Sequence, residues 1–128
     1  MTDNGNAQSL QEVTIDGETY GSGYSGSGYI SHLDLATGNS VSTTINVAAA
    51  GTHNIDFRYS NGTGASSTLS VHVNGTKIKN VTFPVTGAWN TTWATVTSAF
   101  TLNAGNNTIK IQYDAGNGPT DIDYIVVW

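Results

Sequence analysis

Several features that would define a common class of protein are scarce in this sequence. The 128 residues include no cysteine and two prolines, and only 10% of them are charged. Without cysteine there can be no disulfide and no thiolate metal site. The absence of cysteine does not indicate whether the protein works in an oxidising or a reducing compartment. No apolar run approaches the roughly 20 residues that span a bilayer as a helix. We therefore expect no membrane partner.

Positive charge is also scarce. Four Lys and Arg stand against nine Asp and Glu, which gives a net charge of -5. Four basic residues spread along the chain cannot form the basic stripe that dominates affinity for nucleic acid, so no nucleic-acid partner is expected. The length suits a single core. We predict one monomeric domain over residues 1–128, with residues 1–8 as a disordered or linker-derived start.

No stretch shows a convincing helical stripe, whereas apolar and polar residues alternate throughout. The pattern predicts an all-β fold, a β-sandwich jelly roll of antiparallel strands, because short strands recur between glycine and asparagine punctuation. Within it, Ile55, Phe57 and Tyr59 share one face. Asn74-Gly75 predicts a two-residue type I′ hairpin, and a further turn is predicted at 104–106. The predicted strands cover residues 10–15, 29–33, 41–47, 53–59, 68–73, 77–83, 94–102, 107–113 and 122–127.

Catalytic motifs are missing. The histidines, His32, His53 and His72, lie on separate predicted strands without metal-ligand spacing, and no nucleophile elbow, zinc-protease or phosphate-loop motif occurs. A small glycosidase would need two facing carboxylates, and a domain of this size has little room for a deep cleft. We predict no enzyme activity and no metal site. The carboxylates that such a glycosidase could use are Glu12, Asp16, Glu18, Asp114, Asp121 and Asp123.

Two of the three tryptophans, Trp89 and Trp93, lie four residues apart in the otherwise polar segment TGAWNTTWATV. An indole carries a large apolar surface, so a tryptophan in a polar loop indicates a partner or a lid over the core. A flat aromatic can cover the apolar face of a pyranose ring while amides and carboxylates bond its rim. Asn61, Asn117 and Asp121, in predicted turns at strand ends, are the candidate rim residues. Sandwich loops collect at the two ends, so loops from different strand pairs can converge on one surface.

Four stretches in this order resemble the family 35 carbohydrate-binding modules, with family 6 as near relatives: GYSGSGYI, INVAAAGTHNIDFRYSNG, VNGTKIKNVTFPVTGAWNTTWATVTSAFTLNAGNNTIKI and DIDYIVV. The likeness covers about residues 14–127. It implies a jelly roll without catalytic activity, usually attached to a plant-cell-wall hydrolase, with the sugar site in loops at one end.

The resemblance also suggests roles for single residues. TGAWNTTW matches the family's tryptophan loop, so Trp89 or Trp93 would be the sugar platform, and Asn61 matches the asparagine of the family's RYANG. Asp121 stands where relatives often have asparagine, and a carboxylate accepts hydrogen bonds where an amide can also donate them. The second aromatic of family 6 is replaced by Gly38-Asn39-Ser40, so Tyr59 or the tyrosines of residues 20–29 would supply the other wall.

Relatives often hold a structural calcium ion with two N-terminal glutamates and the aspartate that matches Asp123. The glutamate positions are Ser9 and Gln11 here, and calcium prefers several anionic oxygen ligands. We therefore predict no tight calcium site and no cofactor.

These observations together predict a module that anchors a secreted, extracellular, bacterial glycoside hydrolase to plant polysaccharide, a neutral hemicellulose such as β-mannan. Its partners would be that glycan and a catalytic domain in the parent chain. Xylan decorations, galactosides and uronic acids are the alternative ligands. A structural or adhesive jelly-roll domain whose aromatic loop contacts protein is the alternative function.

Overall fold

A computed structural model describes residues 17–18, 29–30, 37–89, 91–115 and 118–128. The predicted start at 1–8 and the predicted strand at 10–15 lie outside these residues. All regular structure in the described part is β, and none of it is a helix that could cross a membrane. The strands are β1 Gly17–Glu18, β2 Tyr29–Ile30, β3 Ser40–Val47, β4 Gly51–Ser60, β5 Ser67–Val73, β6 Thr76–Phe83, β7 Ala94–Leu102, β8 Gly105–Gln112 and β9 Asp121–Val127.

The strands form two sheets, and the all-β sandwich prediction is confirmed. One sheet has the order β1-β2-β9-β4-β7 and the other β3-β8-β5-β6. Every neighbouring pair is antiparallel. Side chains alternate along each strand, so each sheet presents one apolar face to the other and one polar face outward.

The core lies between the two sheets. On β4 the alternation holds as predicted, because Ile55, Phe57 and Tyr59 are buried while the residues between them are partly exposed. The Phe57 ring meets Phe83 and Phe100 edge-on, with centroids 6.1 and 6.2 Å apart, and so ties the sheets together. Leucine, isoleucine and valine from eight of the strands, β2 to β9, complete the cluster.

Two turns test the local predictions. Asn74 and Gly75 have φ angles of 51° and 87°, the positive values that a type I′ hairpin requires at both positions, and this prediction is confirmed. The predicted turn at 104–106 is displaced, because β8 already begins at Gly105, opposite Val47. The buried Asn107 side chain bonds both N and O of Asn103 and closes the turn earlier.

Strand direction places four connections at one end of the sandwich. Tyr59, near the end of β4, is opposite Ala94 at the start of β7, and Ser60 is opposite Asp121 at the start of β9. In the other sheet, the start of β5 lies beside the end of β6, where Ser67 is opposite Phe83. We call the described residues of the connections 31–39, 61–66, 84–93 and 113–120 the loop end.

Candidate functional site

Backbone and hydroxyl hydrogen bonds join the loops of the loop end. Thr86 N donates to Asn61 O at 2.9 Å, and Asn61 N donates to Thr86 Oγ1 at 3.1 Å. Ser67 and Thr120 bond through their buried hydroxyls, which connects the loop 113–120 to the same group. The predicted convergence of loops from different strand pairs is confirmed for these residues.

Asn61 lies at the centre of this junction and is fully buried. Its Nδ2 donates to Phe83 O at 2.9 Å, to Ala65 O at 3.0 Å and to Ser67 Oγ at 3.3 Å. Its Oδ1 accepts from Thr63 N at 3.0 Å and from Thr63 Oγ1 at 2.6 Å. These bonds use the two donors and two acceptor sites of an amide. The predicted contact of Asn61 with the rim of a sugar does not agree with this arrangement, because the donors and acceptors of its amide are already satisfied by the protein.

Trp89 lies at the loop end and is half-buried. A Cβ placed on Gly62 would overlap the Cγ and Cδ1 atoms of the Trp89 indole, so the ring lies directly against the backbone of the loop 61–66. The preceding carbonyl, Ala88 O, accepts from Ser60 Oγ at 3.0 Å and from Thr86 Oγ1 at 3.1 Å. The indole is thus fixed on one side and keeps part of its surface in solvent, as a stacking platform requires.

Trp93 is also half-buried, but its neighbours belong to a different surface. Its ring meets Tyr29 edge-on, with centroids 5.1 Å apart and planes at 72°. The Arg58 guanidinium lies 5.6 Å from the Trp93 centroid and 5.8 Å from the Tyr124 centroid, within the range of cation–π attraction. Arg58 and Tyr124 are directly opposite each other on β4 and β9. The two tryptophans therefore belong to two separate clusters.

A β-bulge builds the second cluster. Arg58 is opposite Tyr124 whereas Tyr59 is opposite Ile122, so Asp123 is the extra residue in β9. Its carboxylate is fully buried and accepts from Arg58 Nη1 at 2.6 Å. Asp123 was the one calcium ligand that the resemblance kept, and the described residues hold no group of three His, Asp or Glu that could bind a metal ion. Ser9 and Gln11 lie outside the described residues.

Three other predicted site residues remain. Tyr59 is 2% exposed, donates from its hydroxyl to Pro84 O at 2.7 Å and packs edge-on against Phe83. Burial also raises the pKa of the Tyr59 phenol. Tyr59 as a sugar wall is therefore wrong, because its ring is part of the core. Asp121 lies at the start of β9, opposite Ser60, and is 7% exposed. Asn117 lies outside the described residues.

The loop end carries no basic side chain. The segments 31–39, 61–66, 84–93 and 113–120 contain neither Lys nor Arg. Of the four basic residues, Arg58 is engaged with Asp123, Lys77 lies 3.3 Å from Asp114, Lys79 bonds Ser98, and Lys110 lies on the outer face of the other sheet. Arg58 and Lys77 reach loop-end residues, Trp93 and Asp114, but each is already paired with a carboxylate of the protein.

Sequence reasoning missed Gly62. It stands in RYSNG directly after Asn61, and glycine after asparagine reads as an ordinary turn signal. Nothing local indicates that an indole 27 positions along the chain rests on it. The contact depends on how two loops meet, each of which connects one sheet to the other.

A two-sheet jelly roll with a half-buried indole at its loop end is compatible with a glycan-binding module. Comparison with known proteins agrees, since the profile of the family described as "Carbohydrate binding module (family 35)" matches residues 3–128. The chain belongs to this family and is a non-catalytic carbohydrate-binding module.

Three relatives show the range of this likeness. A family 35 carbohydrate-binding module from Clostridium thermocellum has a structure that superposes with a TM-score of 0.80 at 36% identity, covering 88% of this chain and 86% of that one. An exo-beta-D-glucosaminidase of Amycolatopsis orientalis is 39% identical over 86% of this chain and 11% of its own length. A 1,6-alpha-glucosyltransferase of Sporosarcina globispora is 38% identical over 81% and 8%. The chain thus spans about a tenth of these enzymes' length.

Proposed function

We propose that the chain binds a neutral polysaccharide through Trp89 and so holds an attached, extracellular catalytic domain close to that polymer. The observation that carries the proposal is the indole of Trp89, seated on Gly62 and partly open to solvent at the loop end. An aromatic face of this kind can stack on the apolar face of a pyranose. The length of the curated relatives supports the attachment, because the module forms a small part of each enzyme.

Trp89 is the better candidate for the platform than Trp93. The Trp93 ring is already covered by partners from its own sheet, Tyr29 on one side and the Arg58 guanidinium at 5.6 Å. A sugar stacking there would have to displace a cation that a buried carboxylate holds in place. Trp89 has the backbone of a glycine beneath it and no aromatic neighbour among the described residues.

The charge distribution supports a neutral ligand. Uronic acids are recognised through their carboxylate, and a charge-assisted bond to Lys or Arg is the strong way to hold one. The loop-end segments include neither residue type, and the two cations that reach them, Arg58 and Lys77, are already paired with Asp123 and Asp114; the chain as a whole is negative. Among neutral polymers β-mannan is the candidate expected from the sequence, whereas the relative named as a 1,6-alpha-glucosyltransferase favours an α-1,6-linked glucan as the second candidate.

Binding should be weak for a single short oligosaccharide. One stacked ring and a few polar contacts must offset the loss of translational freedom and of sugar flexibility, which leaves Kd values of about 10⁻³ to 10⁻⁵ M. Attachment to a polymer with many identical units raises the effective affinity. Retention by the polymer is therefore the appropriate readout.

Affinity electrophoresis tests the proposal. The parent protein should be retarded in gels that contain β-mannan or an α-1,6-glucan, and not specifically by a uronic-acid polymer. Trp89→Ala should weaken retention about 30-fold or more, which corresponds to the 2 kcal/mol or more typical of a buried aromatic anchor. Trp128→Ala is the matched control, because Trp128 is 41% exposed and lies at the far end of β9.

Three other outcomes would count against the proposal. Unchanged retention of Trp89→Ala means that the platform is elsewhere. Retention only by uronic-acid or glucosamine polymers contradicts the neutral ligand. Retention by no glycan at all supports instead an adhesive domain that contacts protein, for which the exposed Val85 beside the tryptophan loop would be part of the contact surface.

A further inference from the structure

We propose that Gly62 is a positioning residue for the sugar platform, because the absence of its side chain creates the seat on which the Trp89 indole lies. This inference deepens the proposed function and rests on it for its effect on ligand binding. The seat itself is a property of the free protein and can be tested without any glycan.

The contact is too close for any other residue. A Cβ on Gly62 would overlap the indole Cγ and Cδ1 and would lie 2.7 Å from the backbone N of Trp89. Real Cβ atoms essentially never approach other heavy atoms below 3.0 Å. Since the overlap includes both ring and backbone, a new rotamer of Trp89 would not relieve all of it, and the loop 84–93 itself would have to move.

Backbone conformation is not the reason for a glycine here. Six described glycines have positive φ, and Gly62 is not one of them. An alanine could adopt the backbone angles of Gly62 without the strain that arises in the left-handed region. The requirement for glycine at this position comes from the close approach of Trp89, mainly of its indole.

Neither side of the seat can yield easily. Asn61, immediately before Gly62, is held by its hydrogen bonds to Phe83, Ala65 and Thr63. The residue before the indole, Ala88, is held through its carbonyl by Ser60 and Thr86. A methyl group inserted between two fixed loops must displace the indole, and a binding site displaced by about 1 Å loses much of its complementarity.

Gly64 provides a matched control within the same loop. It has no positive φ, and a Cβ placed on it would meet nothing within 4 Å. Gly64→Ala therefore adds the same methyl group, two residues away, without touching Trp89. Any general effect of alanine on the loop 61–66 appears in both variants, and an effect on the seat appears only in Gly62→Ala.

The experiment compares these variants by the indole N–H resonances of the three tryptophans and by affinity electrophoresis. Gly62→Ala should shift the Trp89 indole resonance, leave that of Trp128 in place and weaken retention at least about tenfold; Gly64→Ala should change neither. An unshifted Trp89 resonance in Gly62→Ala overturns the proposal. If Gly62→Ala shifts the Trp89 resonance but Trp89→Ala still binds the polymer normally, the role of Gly62 as the seat of the indole is supported. The role of Trp89 as the sugar platform is then refuted.

A double variant keeps the test decisive if Gly62→Ala folds poorly. Removing the indole with Trp89→Ala takes away most of the overlap, so the double variant should be more stable than the sum of the two single changes predicts. Equal destabilisation, with no coupling between the two positions, would show that Gly62 does not act through Trp89.

Discussion

Replacing Asn61 by alanine should unfold the loop end before the rest of the molecule and lower the stability of the whole domain. The change removes the bonds to Phe83 O, Ala65 O, Ser67 Oγ and Thr63. Thr63 and Ala65 lie near the surface and can turn to water, whereas Phe83 and Ser67 are buried. A buried polar group left without its partner costs about 1–3 kcal/mol, and each replaced exposed bond about 0.5–1.5 kcal/mol.

The expected total is about 2–4 kcal/mol. For a domain of this size, 1 kcal/mol corresponds to a shift in Tm of roughly 3–5 °C, so the midpoint should fall by about 6–20 °C. Thermal unfolding followed by circular dichroism measures it. Asn80→Ala, at an exposed position of β6, is the control and should remain within about 0.5 kcal/mol of the parent.

Asn61→Asp separates hydrogen-bond donation from side-chain volume. An ionised carboxylate would face the carbonyl oxygens of Phe83 and Ala65 without a proton to donate, so the pKa of this group should be raised above the ordinary aspartate value. The protonated form then supplies stability below that ordinary value, and this stability is lost as the pH rises through the raised pKa. The stability deficit relative to the parent should therefore shrink on acidification. A midpoint for Asn61→Ala within about 2 °C of the parent would refute the assignment of Asn61 as the organiser of these loops.

Three further predictions concern other parts of the molecule. Gly75→Ala should cost about 1 kcal/mol, since Gly75 holds a φ of 87° in an open turn and no contact offsets the strain; urea unfolding measures it, and an unchanged midpoint would contradict it. Burial and Lys110 lower the pKa of His72, against the opposing effect of Asp114, so protonation favours the unfolded state and stability should fall as the pH drops below about 6.5. His72→Gln should flatten this pH dependence, and an equally steep curve would exclude His72 as its source. A chelator should leave the Tm unchanged, because two expected calcium ligands are Ser9 and Gln11; a large drop would reveal a tight site.

Much of the sandwich could be predicted from the sequence because its strands alternate cleanly and their ends carry strong turn residues. The hairpin at Asn74-Gly75 is such a case, since only a few residue types tolerate positive φ at both positions. The same alternation already placed Tyr59 on the buried face with Phe57. The family resemblance suggested instead that Tyr59 contacts the sugar. The alternation of apolar and polar residues predicted its burial correctly.

The arrangement of the site could not be predicted in the same way. Trp89 and Trp93 lie in an irregular segment without a repeating apolar pattern, so their spacing does not indicate which way each side chain points. In the structure they belong to different surfaces. The polar Asn61 looked available to a ligand, but its amide is used by residues up to 22 positions away. Such contacts depend on how two sheets stack, which neither propensity nor periodicity encodes.

The position of the sugar can be measured directly by titrating the protein with an oligosaccharide of the polymer that retains it and following the three indole N–H resonances. The resonance of Trp89 should move in proportion to saturation, while those of Trp93 and Trp128 stay in place. Saturable binding that moves the Trp93 resonance and leaves that of Trp89 unchanged would contradict the account.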